Sequence, residues 1–214
     1  FTAEIISKFY KRDTYYSYGL SLIILTIISI LLLYQPDIGQ TILLIATWTS
    51  IIFVSGIKIS FLIIFSILLI FISGFLLIIL PEKFGYIIQR FKVFYDPTKG
   101  DSFQTEKALA AIKQGGLKGQ GMGEGVLKES VPEAHTDYII AVITEEYGSI
   151  ISVLVICIFL FISYRIIKNC LDTSDNNIRI SLCGLSSLLI FQTFIHIGVN
   201  TSLLPTTGMT LPFL

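Results

Sequence analysis

The chain has 214 residues, of which 53% are hydrophobic and only 14% charged, and its mean hydropathy is +0.79. That is far more apolar than a water-soluble domain of this length needs to be, so the composition excludes an ordinary soluble enzyme and points to an integral membrane protein. The 15 basic residues cancel the 15 acidic ones, which excludes recruitment of nucleic acid or of an anionic surface by bulk charge.

The predicted elements follow from the apolar runs, at about 1.5 Å of rise per residue across roughly 30 Å of hydrocarbon. The opening stretch is polar and carries Lys8, Lys11 and Arg12. It does not begin with Met, fits no cleavable signal, and is expected to belong inside a longer protein. A first span runs from Ser17 to Tyr34. QPDIGQ at 35 to 40 then turns the chain; Asp37 is an ordinary turn former there, which a partner cation would make structural. A second span, Gln40 to Gly56, and a third, Ile59 to Leu80, flank a tight connection at Lys58.

A long polar segment occupies 81–137. Phe84, Ile87, Ile88, Phe91 and Phe94 fall on one helical stripe, with Lys83, Arg90 and Lys92 off it. This suits either a helix lying in the headgroup layer or one packed on its neighbours. Tyr95-Asp96-Pro97 with Gly100 marks a turn, after which FQTEKALAAIKQ reads as a short helix closed by Gly115 and Gly116. Its Lys107 and Lys113 are within reach of an anionic headgroup. GGLKGQGMGEG follows, with six glycines between 115 and 125. It is neither a phosphate-binding Walker loop nor a dinucleotide fingerprint. Taken alone it reads as a flexible linker, although such a run also permits close backbone approach to a ligand.

VPEAHTDYIIAVITEEYG, at 131–148, is the most unusual stretch. Asp137 stands where a helix would begin: a cap worth about 1 kcal/mol, or a cap that is also a base, since the positive end of a helix stabilises a carboxylate and attracts phosphate. His135 has three readings: it orients the loop, binds a phosphate when protonated, or hydrogen-bonds the backbone. Ser149 to Tyr164 is apolar but barely long enough to cross, so the fourth span is expected to start near Tyr138 and to carry Glu145 and Glu146 with it. An unpaired charge at that depth costs on the order of 2.5–3.5 kcal/mol, so at least one glutamate must be paired, protonated or facing a wet cavity. In the last span, Ile180 to Leu204, Gln192, His196 and Asn200 share one face. They either hydrogen-bond between helices or line the same cavity. Cys157, Cys170 and Cys183 lack metal-binding spacing and are expected to be free thiols.

Lys8, Lys11, Arg12, Lys58, Arg165, Lys168 and Arg179 mark the cytoplasmic side. QPDIGQ, the 81–137 segment and the terminal LPTTGMTLPFL then lie outside. The long segment balances eight basic with eight acidic residues and is long enough for the rule to lose force. The expected architecture is all-α: a polytopic transmembrane helical bundle with about five spans and short amphipathic helices in its outer segment. Residues 1–80 hold three spans, 81–137 the outer loop, and 138–214 two spans and the start of a last outer loop.

Four blocks, QPDIGQ, GQGMGEG at 119–125, PEAHTDYIIAVITEEYG at 132–148 and LPTTGMTLPF at 204–213, together resemble the SEDS family (shape, elongation, division and sporulation) of bacterial cell-wall polymerases. The ending and the form PEAHTD are closer to its division branch than to its elongation branch. The resemblance implies ten transmembrane helices in the cytoplasmic membrane, of which about half are legible here. It also implies polymerisation of lipid II into glycan strands, with a class B penicillin-binding protein as transpeptidase and other division proteins as partners, and no nucleic acid. Gln40 stands where the family commonly has Thr, and Thr207 where the division branch often has Lys.

By the same resemblance a sugar 4-hydroxyl attacks an anomeric carbon and displaces a lipid pyrophosphate. Asp137 matches the family's essential acid and is the expected general base; an aspartate in water, with a pKa near 3.9, needs desolvation to serve. His135, Glu133, Lys113, Lys118, Gln120, Glu145 and Glu146 are expected to bind substrate or support the site, with Lys128 a further candidate for the pyrophosphate. Asp37, Gly39, Gly119 and Gly121 belong to the structural motifs. A divalent cation such as Mg suits a pyrophosphate leaving group, though no ligand cluster is legible. The rivals are a lipid-precursor flippase or transporter, which would spread its charges through the bilayer depth, and a non-catalytic division scaffold, in which Asp137 is only a cap.

Overall fold

The computed structural model describes residues 14–61, 63–65, 67, 81–96, 103–131, 134 and 136–213. Among them every regular element is helical: α1 (Thr14–Tyr34), α2 (Ile38–Val54), α3 (Pro81–Tyr95), α4 (Phe103–Gly115), α5 (Leu127–Ser130), α6 (Ile139–Tyr147), α7 (Ser149–Asp172) and α8 (Asn176–Asn200). Of the third expected span, residues 59–61, 63–65 and 67 are helical, and the rest lies outside the described residues. The chain divides into two compact units, residues 1–86 with 162–191 and residues 87–161 with 192–214.

In the first unit Tyr18, Leu25, Trp48, Ile51, Ile52 and Ile180 form the core. Several polar groups around it are paired, which offsets the cost of burying them. Trp48 Nε1 donates to Ser21 Oγ at 3.3 Å, and Tyr18 Oη lies 3.1 Å from Ser55 Oγ. Asp37 begins α2. Its Oδ1 accepts from Gln40 N at 2.9 Å, and its carbonyl accepts from Thr41 Oγ1. Its structural role needs no partner cation: it caps a helix. Gly39, in the first turn behind that cap, is buried.

α7 and α8, with 24 and 25 residues, are the two described helices long and apolar enough to cross a membrane, while Tyr18–Tyr34 and Ile38–Val54 are shorter apolar helices. The apolar window of α7 is only 17% buried. Ile150, Val153, Leu154, Leu160 and Phe161 face outward, as they do where the solvent is lipid rather than water. Asp175 explains the early start of α8, since its carboxyl accepts from Asn177 N and its carbonyl from Arg179 N. Cys157, Cys170 and Cys183 are free thiols.

The fourth span does not begin near Tyr138. The helix breaks at Gly148, which has φ +88°, and a β-carbon there would strike the carbonyl of Leu117. α7 starts afresh at Ser149 and reaches the membrane-crossing length by continuing past Tyr164 through the polar RIIKNCLD. Glu145 and Glu146 therefore belong to the short helix α6 and not to the long one. Asp137 is not the cap of α6 either: that position is Tyr138, which makes no side-chain capping bond.

Replacing Asp37 with Ala should cost about 0.5–2 kcal/mol of stability, and with Asn only a fraction of that, because Asn keeps the capping oxygen. Thermal unfolding of the two variants in detergent checks this order.

Candidate functional site

The second unit is built around close contact between two main chains. α4 ends at Gly115, which has no room for a β-carbon against Thr144 O and Glu145 Cα. Gly119, at φ +79°, lies equally close to Glu146 O. Across this contact Gln120 N donates to Glu145 O at 2.8 Å, Gly121 N to Glu146 O at 3.1 Å, and Ser149 N to Gly116 O at 2.9 Å. The glycine-rich segment is thus a docked loop, not a linker. Any side chain at its contact points would separate main chains that bond to one another.

Glu145 completes the junction. It is 1% exposed, and its two carboxyl oxygens accept from Val126 N at 2.9 Å and Leu127 N at 3.1 Å. These are backbone donors at the start of α5 that otherwise have no partner in a helix. Of the three sequence-based options for a buried glutamate, the structure selects pairing, and with backbone amides rather than a cation. Glu146 is half-buried beside it. Thr144 Oγ1 and Ser152 Oγ, 2.7 Å apart, tie α6 to α7 across the break.

Asp137 lies in the turn before α6, half-buried, between exposed Thr136 and buried Tyr138. The polar face of α8 secures this turn and the terminal segment. Asn200 Nδ2 donates to Asp137 O at 3.0 Å, and its Oδ1 accepts from Ala141 N at 3.1 Å. His196 Nδ1 meets Met209 O at 2.9 Å, and Gln192 Nε2 donates to Thr210 O at 3.0 Å. His196 and Asn200 have no accessible surface, so they hold segments together and do not line a cavity.

The terminal segment forms one side of the site. A β-carbon on Gly208 would lie 3.9 Å from Asp137 Oδ2, an ordinary van der Waals contact, so the segment passes directly beside the carboxyl. Arg90 of α3 reaches the same segment, with Nη1 donating to Thr206 O at 3.1 Å. Tyr138 reports on the surroundings. Burial pushes its hydroxyl above the usual phenol range; the hydrogen bond with Thr105 opposes this, the charge of Asp137 adds to it, and that of Arg90 opposes it. Asp137 and Arg90 thus both act on one buried ring. Local sequence did not mark Arg90, which lies 47 positions before Asp137 and read only as an off-stripe residue of an amphipathic helix. Thr207 is buried, and its hydroxyl has no partner among the described residues.

Lys113 and Lys118 are exposed, on the last turn of α4 and in the glycine loop, and Gln120 is half-buried. Glu133 and His135 lie outside the described residues, as does the side chain of Lys128. Among the described residues no group of three or more His, Cys, Asp or Glu is placed to hold a metal. A cavity of about 950 Å³ belongs to the first unit. Its lining is largely apolar, from Phe53, Ile63, Cys183 and Ile190 among others, and includes none of the acidic residues above.

Glu145→Ala should destabilise the protein by about 1–3 kcal/mol for each of the two amides it strands. Glu145→Gln should lose less, because one acceptor oxygen remains. The thermal midpoints in detergent should fall in the order wild type, Gln, Ala.

With this geometry in place, comparison with known proteins is informative. The FtsW/RodA/SpoVE family, described as cell cycle proteins, matches residues 1–214. The chain is 37% identical over 187 residues to the "Probable peptidoglycan glycosyltransferase FtsW" of Caulobacter vibrioides, covering 86% of this chain and 46% of that one. It is 36% identical over 197 residues to the protein of the same name from Buchnera aphidicola, covering 90% and 52%, and 33% identical over 198 residues to that of Escherichia coli, covering 89% and 47%. The chain therefore spans about half the length of these relatives. A solved structure described as "Structural coordination of polymerization and crosslinking by a peptidoglycan synthase complex" shares the fold, with a TM-score of 0.69 at 22% identity over 92% of this chain and 55% of the other. The family match over residues 1–214 shows that this membrane protein belongs to the FtsW/RodA/SpoVE family of cell cycle proteins.

Proposed function

We propose that the chain carries the catalytic half of a peptidoglycan glycosyltransferase that polymerises lipid II on the outer face of the bacterial cytoplasmic membrane during division. The observation that carries this reading is the half-buried carboxyl of Asp137, held in a turn that α8 pins from below, beside a terminal segment that also receives the Arg90 guanidinium. The names of the relatives support the same chemistry.

Asp137 accepts the proton of a sugar 4-hydroxyl as its oxygen bonds to the anomeric carbon of the second sugar. The bond from that carbon to the pyrophosphate oxygen breaks, and its electron pair leaves with the lipid pyrophosphate. Arg90 supplies the positive charge for the leaving group, next to the position where relatives of the division branch often carry lysine. A planar guanidinium suits phosphate oxygens better than a point charge does. Lys113, Lys118 and Lys128 assist binding from the outer segment, and Glu133 and His135 border the base in sequence. A divalent cation such as Mg, if bound with the substrate, would neutralise charge on the pyrophosphate leaving group.

The fold neighbour is described as a synthase complex that couples polymerisation to crosslinking. A class B penicillin-binding protein is accordingly the proposed partner, with other division proteins. The transporter reading predicts ionisable residues dispersed along a path through the helices. Instead Asp137 and Arg90 gather at one segment, and buried Glu145 is committed to backbone amides.

Polymerisation of lipid II by the complete protein, read as glycan chains on a gel, tests the proposal. Asp137→Asn should lower the rate by about 10²–10⁴-fold, the usual contribution of a general base. A variant that polymerises at the wild-type rate while folded ends the catalytic reading. Arg90→Ala should lower the rate by roughly 10²-fold or more, as loss of a transition-state charge partner does, and Arg90→Lys should recover only part of it.

A further inference from the structure

We propose that Asn200 is a positioning residue for Asp137, an inference that rests on the reading of Asp137 as general base. α6 starts without help from its own sequence, because its capping residue Tyr138 makes no side-chain capping bond. The amide of Ala141, a residue with no accessible surface, would be stranded there, and Asn200 Oδ1 receives it at 3.1 Å. The same carboxamide directs Nδ2 to the carbonyl of Asp137 at 3.0 Å. One side chain therefore holds the main chain at both ends of the turn, at 137 and at 141. The carboxyl of Asp137 leaves the backbone from a fixed point.

The orientation of this carboxamide has one solution. Ala141 N–H can only donate, and the carbonyls of Asp137 and His196, the latter at 2.9 Å, can only accept. His196 extends the control. Met209 O can only accept, so Nδ1 of the ring carries the proton, and Nε2 is left as an acceptor 3.2 Å from Asn200 Nδ2. Neither Asn200 nor His196 is accessible to solvent, so water has no route to replace them. Through this pair the base is referenced to α8 and to the terminal segment that flanks it. Such precision matters because a displacement of about 1 Å at a reacting group can cost on the order of 10²-fold in rate.

The test uses the complete protein and lipid II, with steady-state kinetics of wild type, Asp137→Asn, Asn200→Ala and Asn200→Asp, and gel filtration of each. Asn200→Asp keeps the oxygen that receives Ala141 N–H and loses the donor to Asp137 O. Both Asn200 variants should elute as folded protein and show kcat lowered by about 10–100-fold with KM within about twofold of wild type, the signature of a misplaced catalytic group. The inference is overturned if Asn200→Asp turns over like wild type, if KM rises while kcat holds, or if lost activity only matches lost folded protein. Wild type and Asn200 variants that polymerise alike, with Asp137→Asn inactive, would refute the Asn200 role alone. A wild-type protein that makes no glycan would remove the reading of Asp137 and this inference with it.

Discussion

Backbone amides and carbonyls that are cut off from water must find partners inside the protein, and the second unit is arranged around this requirement. Gln120, Gly121 and Ser149 exchange main-chain bonds across the contact between the glycine loop and TEEYG. The start of α5 takes its acceptors from Glu145, and the start of α6 takes its own from Asn200. Each helix start lacks a cap of its own and borrows one from a residue far along the chain. The turn that carries Asp137 is consequently positioned by the fold as a whole.

The glycines follow from the same constraint. A β-carbon at 115, 119 or 148 would fall on a carbonyl of the facing strand of main chain, and the two backbones could then no longer bond directly. The break at Gly148 keeps α6 apart from α7, a helix long and apolar enough to cross a membrane on its own, with most of its apolar surface exposed. A continuous helix from Tyr138 would have drawn Glu145 into the long span and away from α5. Glu145 is tolerated where it is because two amides meet its oxygens, not because a cavity hydrates it.

Much of the chain was legible from one sequence. The apolar runs located α1, α2 and α8 to within a few residues, since hydrocarbon thickness leaves little latitude in composition or length, whereas α7 starts at Ser149 and not near Tyr138, and runs on past Tyr164 to Asp172. The short helices of the 81–137 segment, α3 and α4, were legible from their apolar stripe and their closing glycines. Asp37 read as a turn residue and proved to be a cap. The Gln192, His196 and Asn200 spacing placed all three on one face, yet it left open whether that face met a cavity or other segments. The glycine-rich loop read as a linker because nothing local reveals what a glycine is pressed against. Arg90 was missed for a related reason: the segment it bonds lies 116 residues further on.

By itself the sequence determined that the chain lives in a membrane, which stretches are helical, and which motifs stand at their ends. Those properties depend on composition, periodicity and neighbours within a few positions. Only the tertiary structure decided that α6 and α7 are separate, that Glu145 serves backbone amides, that Asn200 holds the main chain at Asp137, and that Arg90 bonds the terminal segment. These depend on bonds between groups tens of residues apart, whose free energy exists only after the chain has closed the loops between them.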